Sequence, residues 1–371
     1  MKLDSSDKAF FELLRAGLWG IEAQLSVFGT INFTDVCRIA EEQAVVGLVA
    51  AGLEHATDVK VPQEAALMFV RSMLQIEQRN KSMNKFVTKL IEYLRKKGIN
   101  ALLVKGQGIA QCYEKPLWRA SGDVDLLMSD EDYEKAKVSL VPVATSVETE
   151  YSHFKHLGMT IDGWIVELHG TLHSRLSRRL DRQIDAIKED TLKNDNTREW
   201  KNGDTVVLLP EPNNDVIFVF THILHHFFFE GIGLRQLCDW CRLLWTYKES
   251  LNVSLLDKRL HEMGIVSEWK AFAAYAVKYL GMPVDAMPLY SEDSRWGKKA
   301  FRINAFVLDV GNFGYKQRRD FRGMSYLKRK FVSFFCRLSD MLRHVRIFPL
   351  DSIRFLGGVL RSGLYAAVRG E

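Results

Sequence analysis

Five cysteines in 371 residues are too few for a disulfide framework. A reducing, cytoplasmic setting is therefore expected. No apolar run approaches the roughly 18–20 residues needed to span a bilayer. The opening "MKLDSSDKAFFELLRAG" carries acids among its apolar residues, unlike a signal peptide. Internal repeats and low-complexity tracts are absent. So are the G-x-x-x-x-G-K-[ST] phosphate loop and the H-E-x-x-H zinc motif. Cys238-x-x-Cys241 has no second pair to close a four-ligand site, and it falls on a stripe with Leu234, Leu237, Leu244 and Trp245. These two cysteines are expected in the core.

What remains is ordinary globular material, 47% hydrophobic and 26% charged, long enough for two domains. The net charge of +5 is unevenly placed. Residues 316–371 hold 13 Lys/Arg against 4 Asp/Glu, a balance of +9, whereas 1–315 hold 38 against 42. The basicity belongs to the tail, where it interleaves with Phe331, Phe334, Phe335, Ile347, Phe348 and Phe355. A basic amphipathic segment of this kind suits peripheral contact with an anionic membrane surface or an acidic partner. Without an RNA-binding signature, nucleic acid is less favoured. Packing of the apolar face on the protein itself is the plainer alternative.

The fold class expected is α+β: a small mixed sheet between two helical segments. The expected division is a helical segment at 1–98, a core at 99–211, a helical domain at 212–310 and the basic tail at 311–371. "FTDVCRIAEEQAVVGLVAAGLEHA" reads as helical, with Thr34 or Asp35 as its start cap. From Gln63 to Gly98 one long helix is predicted, burying a stripe of Leu67, Val70, Met73, Leu74 and Ile76, then Phe86, Leu90, Ile91 and Leu94. Strands are expected in Ile99–Val104, in "DVDLLM", on both sides of Asp162-Gly163 and in "DTVVLLP". The Asp-Gly pair favours a tight type I′ turn. Ser129, three residues before Asp132, is a helix start signal.

The chemistry gathers in the middle. Alternate strand residues share a face, so Asp123 and Asp125 project side by side. Two carboxylates held that close repel unless a cation lies between them, and Mg²⁺ (or Mn²⁺) suits such oxygen pairs. Glu167 is an acid inside the otherwise apolar "WIVELHG", costly to bury without a partner. It would complete a two-metal clamp for in-line phosphoryl displacement. Upstream, "LLVKGQG" ends a strand in Lys105-Gly106, where small residues let a phosphate approach backbone N–H groups. Lys105 and Arg119 can add charge against phosphates, Arg119 in a bidentate grip. His169 shares the strand face of Glu167. Arg235 and Asp239 are candidate polar contacts off the core stripe. The helix bearing His222, His225, His226 and Glu230 is expected to border the cleft rather than to bind zinc. Arg175, Arg178, Arg179 and Arg182 form either an anion-collecting row or a solvated face.

The order "LLVKGQGIAQCY…R…DVDLLM…VELHG" resembles the bacterial nucleotidyltransferase-like family of the polymerase-β-type nucleotidyltransferase superfamily. "HILHHFFFEGIGLRQLCDWCRLL" is similar to that family's His-rich helical segment, and the resemblance covers roughly residues 30–300. It implies metal-dependent transfer of a nucleotidyl group from an NTP to an acceptor, with release of pyrophosphate. Asp123 and Asp125 would be the metal ligands, with Glu167 as the third carboxylate. Many superfamily members carry a Gly-Ser pair where this chain has Lys105-Gly106. The rival expectation is a non-catalytic nucleotide-binding or regulatory module, anchored through the tail.

Overall fold

The computed structural model describes residues 3–150, 155–193, 196–229, 231–312, 343–350 and 352. Helices α1 (Ser5–Trp19), α2 (Phe33–Glu42), α3 (Val46–Leu53) and α4 (Gln63–Lys96) come first. A mixed α/β region follows: β1 (Leu102–Val104), α5 (Gly106–Ala110), β2 (Asp123–Leu127), α6 (Asp130–Leu140), β3 (Ser146–Val147), β4 (His156–Ile161), β5 (Trp164–His169), α7 (Arg178–Lys193), β6 (Thr197–Asn202) and β7 (Thr205–Pro210). The C-terminal helices are α8 (Pro212–Phe229), α9 (Leu234–Thr246), α10 (Val253–Met263), α11 (Val266–Leu280) and α12 (Ser294–Val310). The α+β class expected from the sequence is observed.

The main sheet runs β1-β2-β5-β4-β3. β2 and β5 are parallel, and the other neighbours are antiparallel. The β4–β5 hairpin turns at Asp162 and Gly163, both at positive φ (49° and 78°), as a type I′ turn requires. β6 and β7 pair separately through a second hairpin. The sequence reading missed β6, because "TREWKN" has no apolar run; only Trp200 of this strand is buried.

One face of the main sheet is apolar. Leu103, Val124, Leu126, Leu157, Met159, Val166 and Leu168 pack there with Phe86, Val87, Leu90, Ile91 and Leu94 of α4 and Tyr133 of α6. Ser129 caps α6 as expected, its Oγ accepting from the Asp132 N–H at 3.0 Å. The opposite face carries the alternate residues, among them Asp123, Asp125, Glu167 and His169.

A second apolar cluster joins the N-terminal helices to the C-terminal ones. Trp19 Nε1 donates to the Leu280 carbonyl at 2.6 Å. Gln43 is fully buried; its Nε2 donates to the Val307 carbonyl at 3.1 Å, and its Oε1 accepts from the Leu234 N–H at 2.9 Å. α1 and α3 cross so closely that a Cβ on Gly52 would lie 1.9 Å from the Leu13 carbonyl oxygen, and one on Gly17 1.9 Å from that of Leu48. Cys238 and Cys241 are fully buried in this cluster, as expected.

Three local expectations are corrected. The cap of α2 is Asn32, whose side chain accepts from the Thr34 N–H at 3.1 Å, rather than Thr34 or Asp35. The helix then breaks before α3, with Ala44 at φ 55°. In α4 the first half buries Ala65 and Phe69, while Leu67, Val70 and Leu74 are exposed. Of the basic tail, only 311–312, 343–350 and 352 are described; there His344, Ile347 and Phe348 are buried, His344 and Phe348 against Phe227 and Phe228 and His344 also against Phe306. The expected interleaving at Phe331, Phe334, Phe335 and Phe355 lies outside the described residues.

Candidate active site

Strand pairing sets the site. In the parallel β2–β5 register Asp125 stands opposite Glu167. In the antiparallel β4–β5 register His156 stands opposite His169. Val104 pairs with Asp125, so Lys105, the next residue, leaves β1 at the level of the carboxylates. Its φ of 58° is unusual for a side chain with a Cβ and turns the backbone into α5. The result is a cavity of about 440 Å³, within the range of small-molecule sites. Its floor is Lys105, Asp123, Asp125, His156, Glu167 and His169; α8 supplies His222, His225 and His226, and α9 supplies Arg235, Gln236 and Asp239.

The polar contacts are dense. Lys105 Nζ donates to Asp125 Oδ1 at 3.0 Å, and His169 Nε2 lies 2.8 Å from the same oxygen. Asp125 is 3% exposed. His156 Nε2 lies 3.2 Å and His169 Nε2 3.4 Å from Glu167 Oε2. Burial, then the neighbouring Asp125 and Glu167 charges, hold the Asp123 carboxyl above its ordinary range. Burial pulls Lys105 down, but the Asp125, Glu167 and Asp123 carboxylates outweigh it and leave the ammonium more basic than usual. Burial pushes Glu167 up, yet its bonds to His156 and His169 bring it well below the carboxylate range. His169 is raised: burial opposes its charge, while Asp125 and Glu167 favour it.

Such crowding of carboxylates suits a divalent cation. Asp123 and Asp125 share a face, and the cost of charging Asp123 falls if a cation joins it. His156, Glu167 and His169 are themselves close enough to share one ion, their nearest donor atoms all lying within 4.8 Å of one another.

Arg119 makes its bidentate grip on Asp239 rather than holding it open. Nε donates to Oδ1 at 2.8 Å and Nη2 to Oδ2 at 2.6 Å, with both side chains buried. Its Nη1 donates to Ser121 Oγ at 2.7 Å, and Tyr113 OH donates to Asp239 Oδ1 at 2.7 Å. Arg235 Nη1 donates to the Ala120 carbonyl at 3.1 Å. Buried Asn80 of α4 donates to the carbonyls of Leu117 and Arg119, both at 2.7 Å, and accepts from Gln107 of α5. All these bonds brace the turn that delivers Asp123. Gly106 joins the cavity wall at φ 40°.

Of the arginine row, Arg175 lines the cavity, while Arg178, Arg179 and Arg182 are exposed on α7. Arg179 donates to the carbonyls of His261 and Glu262. The α8 histidines border the cavity as expected. His222 Nε2 and His226 Nε2 are 3.0 Å apart, and His225 Nδ1 lies 2.7 Å from the Ser174 carbonyl. Glu230 lies outside the described residues. The sequence reading missed His156 and Gln236. The hairpin turn held the signal for His156, since pairing outward from Asp162-Gly163 sets it across from His169.

A family model described as uncharacterised nucleotidyltransferase matches residues 29–281, more than half of the chain. The chain belongs to this family. It is a nucleotidyltransferase, and the matched span contains the whole main sheet and every cavity residue named above. No curated protein and no solved structure matches the chain. Among the described residues of the enzyme, no helix is long and apolar enough to cross a membrane.

Proposed function

We propose that the enzyme moves an NMP from an NTP to an acceptor hydroxyl or phosphate, with release of pyrophosphate, at the cavity between the main sheet and α8–α9. The observation that carries this reading is the in-register presentation of Asp123, Asp125 and Glu167 to one cavity beside Lys105. Asp123 and Asp125 would hold a divalent ion, Mg²⁺ or Mn²⁺, that offsets phosphate charge, and one of the pair with Glu167 would hold a second that lowers the pKa of the acceptor hydroxyl. Glu167 faces the same space from β5 as the third carboxylate. Lys105, held at Asp125, would balance phosphate charge, and Gly106 beside it lines the same cavity. Arg119 and Asp239 position the Asp123 turn from behind. Arg235 and the α8 histidines form the opposite wall, where base or acceptor would lie.

In the reaction the acceptor oxygen attacks the α-phosphorus. The bond from that phosphorus to the bridging oxygen of pyrophosphate breaks, and the acceptor proton passes to a base or to water. Catalysis here is mainly positioning and electrostatics. The basic residues of 316–371 outside the stretch whose His344, Ile347 and Phe348 pack on the protein are proposed to bring the enzyme to an anionic membrane surface at which an acceptor is presented.

The test is turnover of α-labelled NTPs with Mg²⁺ or Mn²⁺, using lysate and membrane fractions as acceptors, for the wild type and for Asp123→Asn/Asp125→Asn. Label transfer with pyrophosphate release by the wild type alone supports the reading. Nucleotide binding without turnover in either protein would replace it with a non-catalytic module.

A further inference from the structure

We infer that His156, Glu167 and His169 form a site for a first-row transition-metal dication, chemically distinct from an all-oxygen magnesium position. Both imidazoles turn the same atom, Nε2, toward the same carboxylate oxygen, Glu167 Oε2, at 3.2 and 3.4 Å. Two metal–ligand bonds of about 2.1 Å meeting at octahedral or tetrahedral angles place their donors about 3.0–3.4 Å apart. Two of the three donor pairs, those to Glu167 Oε2, already have that spacing, and all three donors lie within 4.8 Å of one another. They are also fixed in place. His156 and His169 are direct partners across the antiparallel β4–β5 pair, and Glu167 lies two residues from His169 on the same face. The two imidazole rings are 4.9 Å apart, centre to centre.

The donor set decides the metal class. Mg²⁺ prefers oxygen ligands and keeps much of its water. Two imidazoles with one carboxylate hold Mn²⁺, Fe²⁺, Co²⁺ or Zn²⁺ far better, with affinity rising from Mn²⁺ through Fe²⁺ to Co²⁺ in the general order for such sites. Three protein ligands leave coordination positions open toward the cavity. Asp125 Oδ1, 2.8 Å from His169 Nε2, borders the site on the side of the aspartate pair. The cavity would then hold two unlike positions: one ligated by oxygen at Asp123 and Asp125, the other by nitrogen at the β4–β5 edge. Glu167 is the group shared between them. This assignment does not depend on nucleotidyl transfer, because it is read by metal binding alone.

The experiment uses full-length enzyme stripped with a chelator and dialysed against Co²⁺, Zn²⁺ or Mn²⁺ in large excess of Mg²⁺. Elemental analysis gives the stoichiometry, Co²⁺ absorption the coordination, and pulsed electron paramagnetic resonance of Mn²⁺ the ¹⁴N coupling. The expected result is one retained equivalent with imidazole ¹⁴N coupling, and affinity lowered at least about tenfold in His156→Ala. His156 is only partly buried, so the variant is expected to fold; near-UV circular dichroism checks this, and His156→Gln is the second variant. Complete displacement by Mg²⁺ overturns the assignment. So does an unchanged ¹⁴N signal in a folded variant with both His156→Gln and His169→Gln, which would move the ion to the His222–His226 pair.

Discussion

A largely buried lysine–aspartate contact beside the proposed reaction centre is expected to serve charge balance more than stability. Lys105 and Asp125 make one, at 3.0 Å. Replacing Lys105 by Met keeps the side chain's length and removes its charge. The expected outcome is a fall in kcat of about 10²–10³, the size of effect seen when one preorganised electrostatic contact to a developing charge is lost. Single-turnover kinetics with labelled NTP measures it. Arg119 works differently, because its partner Asp239 and the Tyr113 hydroxyl are buried with it. Arg119→Met leaves a carboxylate buried without its cation, and about 3–5 kcal/mol of stability is expected to go. A urea midpoint that does not move would overturn that role. His344 adds a pH dependence. Burial among phenylalanines pushes its imidazole down to about 4. An unfolded histidine titrates near 6.5, so the unfolded chain binds the proton first as pH falls. The contribution is therefore complete above about pH 6.5 and lost progressively toward pH 4, about 3 kcal/mol in all. His344→Phe is expected to flatten this part of the stability profile in chemical denaturation at stepped pH.

Among the elements, the α1–α3 crossing has the least tolerance. Gly17 and Gly52 each meet a carbonyl oxygen at 1.9 Å from where a Cβ would stand. Backbone cannot retreat as a flexible side chain can. Gly52→Ala is expected to force the helices apart and to cost about 1–3 kcal/mol, read as a lower melting temperature. The sheet was the most legible part of the sequence. β2 and β5 are short apolar runs with acids at alternate positions, and Asp162-Gly163 fixed the hairpin between β4 and β5. The face shared by Asp123, Asp125, Glu167 and His169 followed from that alternation. Other features depended on partners far along the chain. Ala44 breaks the helix where Gln43 reaches Leu234 and Val307, which no local pattern announces. Leu67, Val70 and Leu74 fitted an apolar stripe, but α4 buries the face of Ala65 and Phe69 there instead. The pairing of Arg119 with Asp239, 120 residues apart, was likewise invisible, so both residues read as open ligands.

At the scale of the whole molecule, the proposed metal binding is expected to couple to protein stability. Burial and the Asp125 and Glu167 charges make the Asp123 carboxyl hard to charge, so a bound dication is expected to stabilise the fold in proportion to its occupancy. A melting temperature that rises with Mn²⁺ in the wild type, and rises much less in Asp123→Asn/Asp125→Asn, is the expected result in differential scanning fluorimetry. The helices on either side of the sheet share one core, which ties residues near the start to residues near 280 and 307.

That shared core has a consequence for synthesis. α1–α3 leave the ribosome long before α9, α11 and α12, the surfaces that cover them. At about 5–20 residues per second, roughly 250 residues separate α1 from α11, a delay of about 12–50 s. Through that interval Phe10, Leu13, Leu14 and Val49, all fully buried in the finished enzyme, have no C-terminal partner. The nascent chain is thus expected to stay protease-sensitive throughout and to depend on chaperone holding. Ribosome-stalled chains ending before residue 230 should be cut readily within α1–α3, and chains stalled well past residue 312 should not; equal resistance at both lengths would show that the N-terminal helices settle on their own.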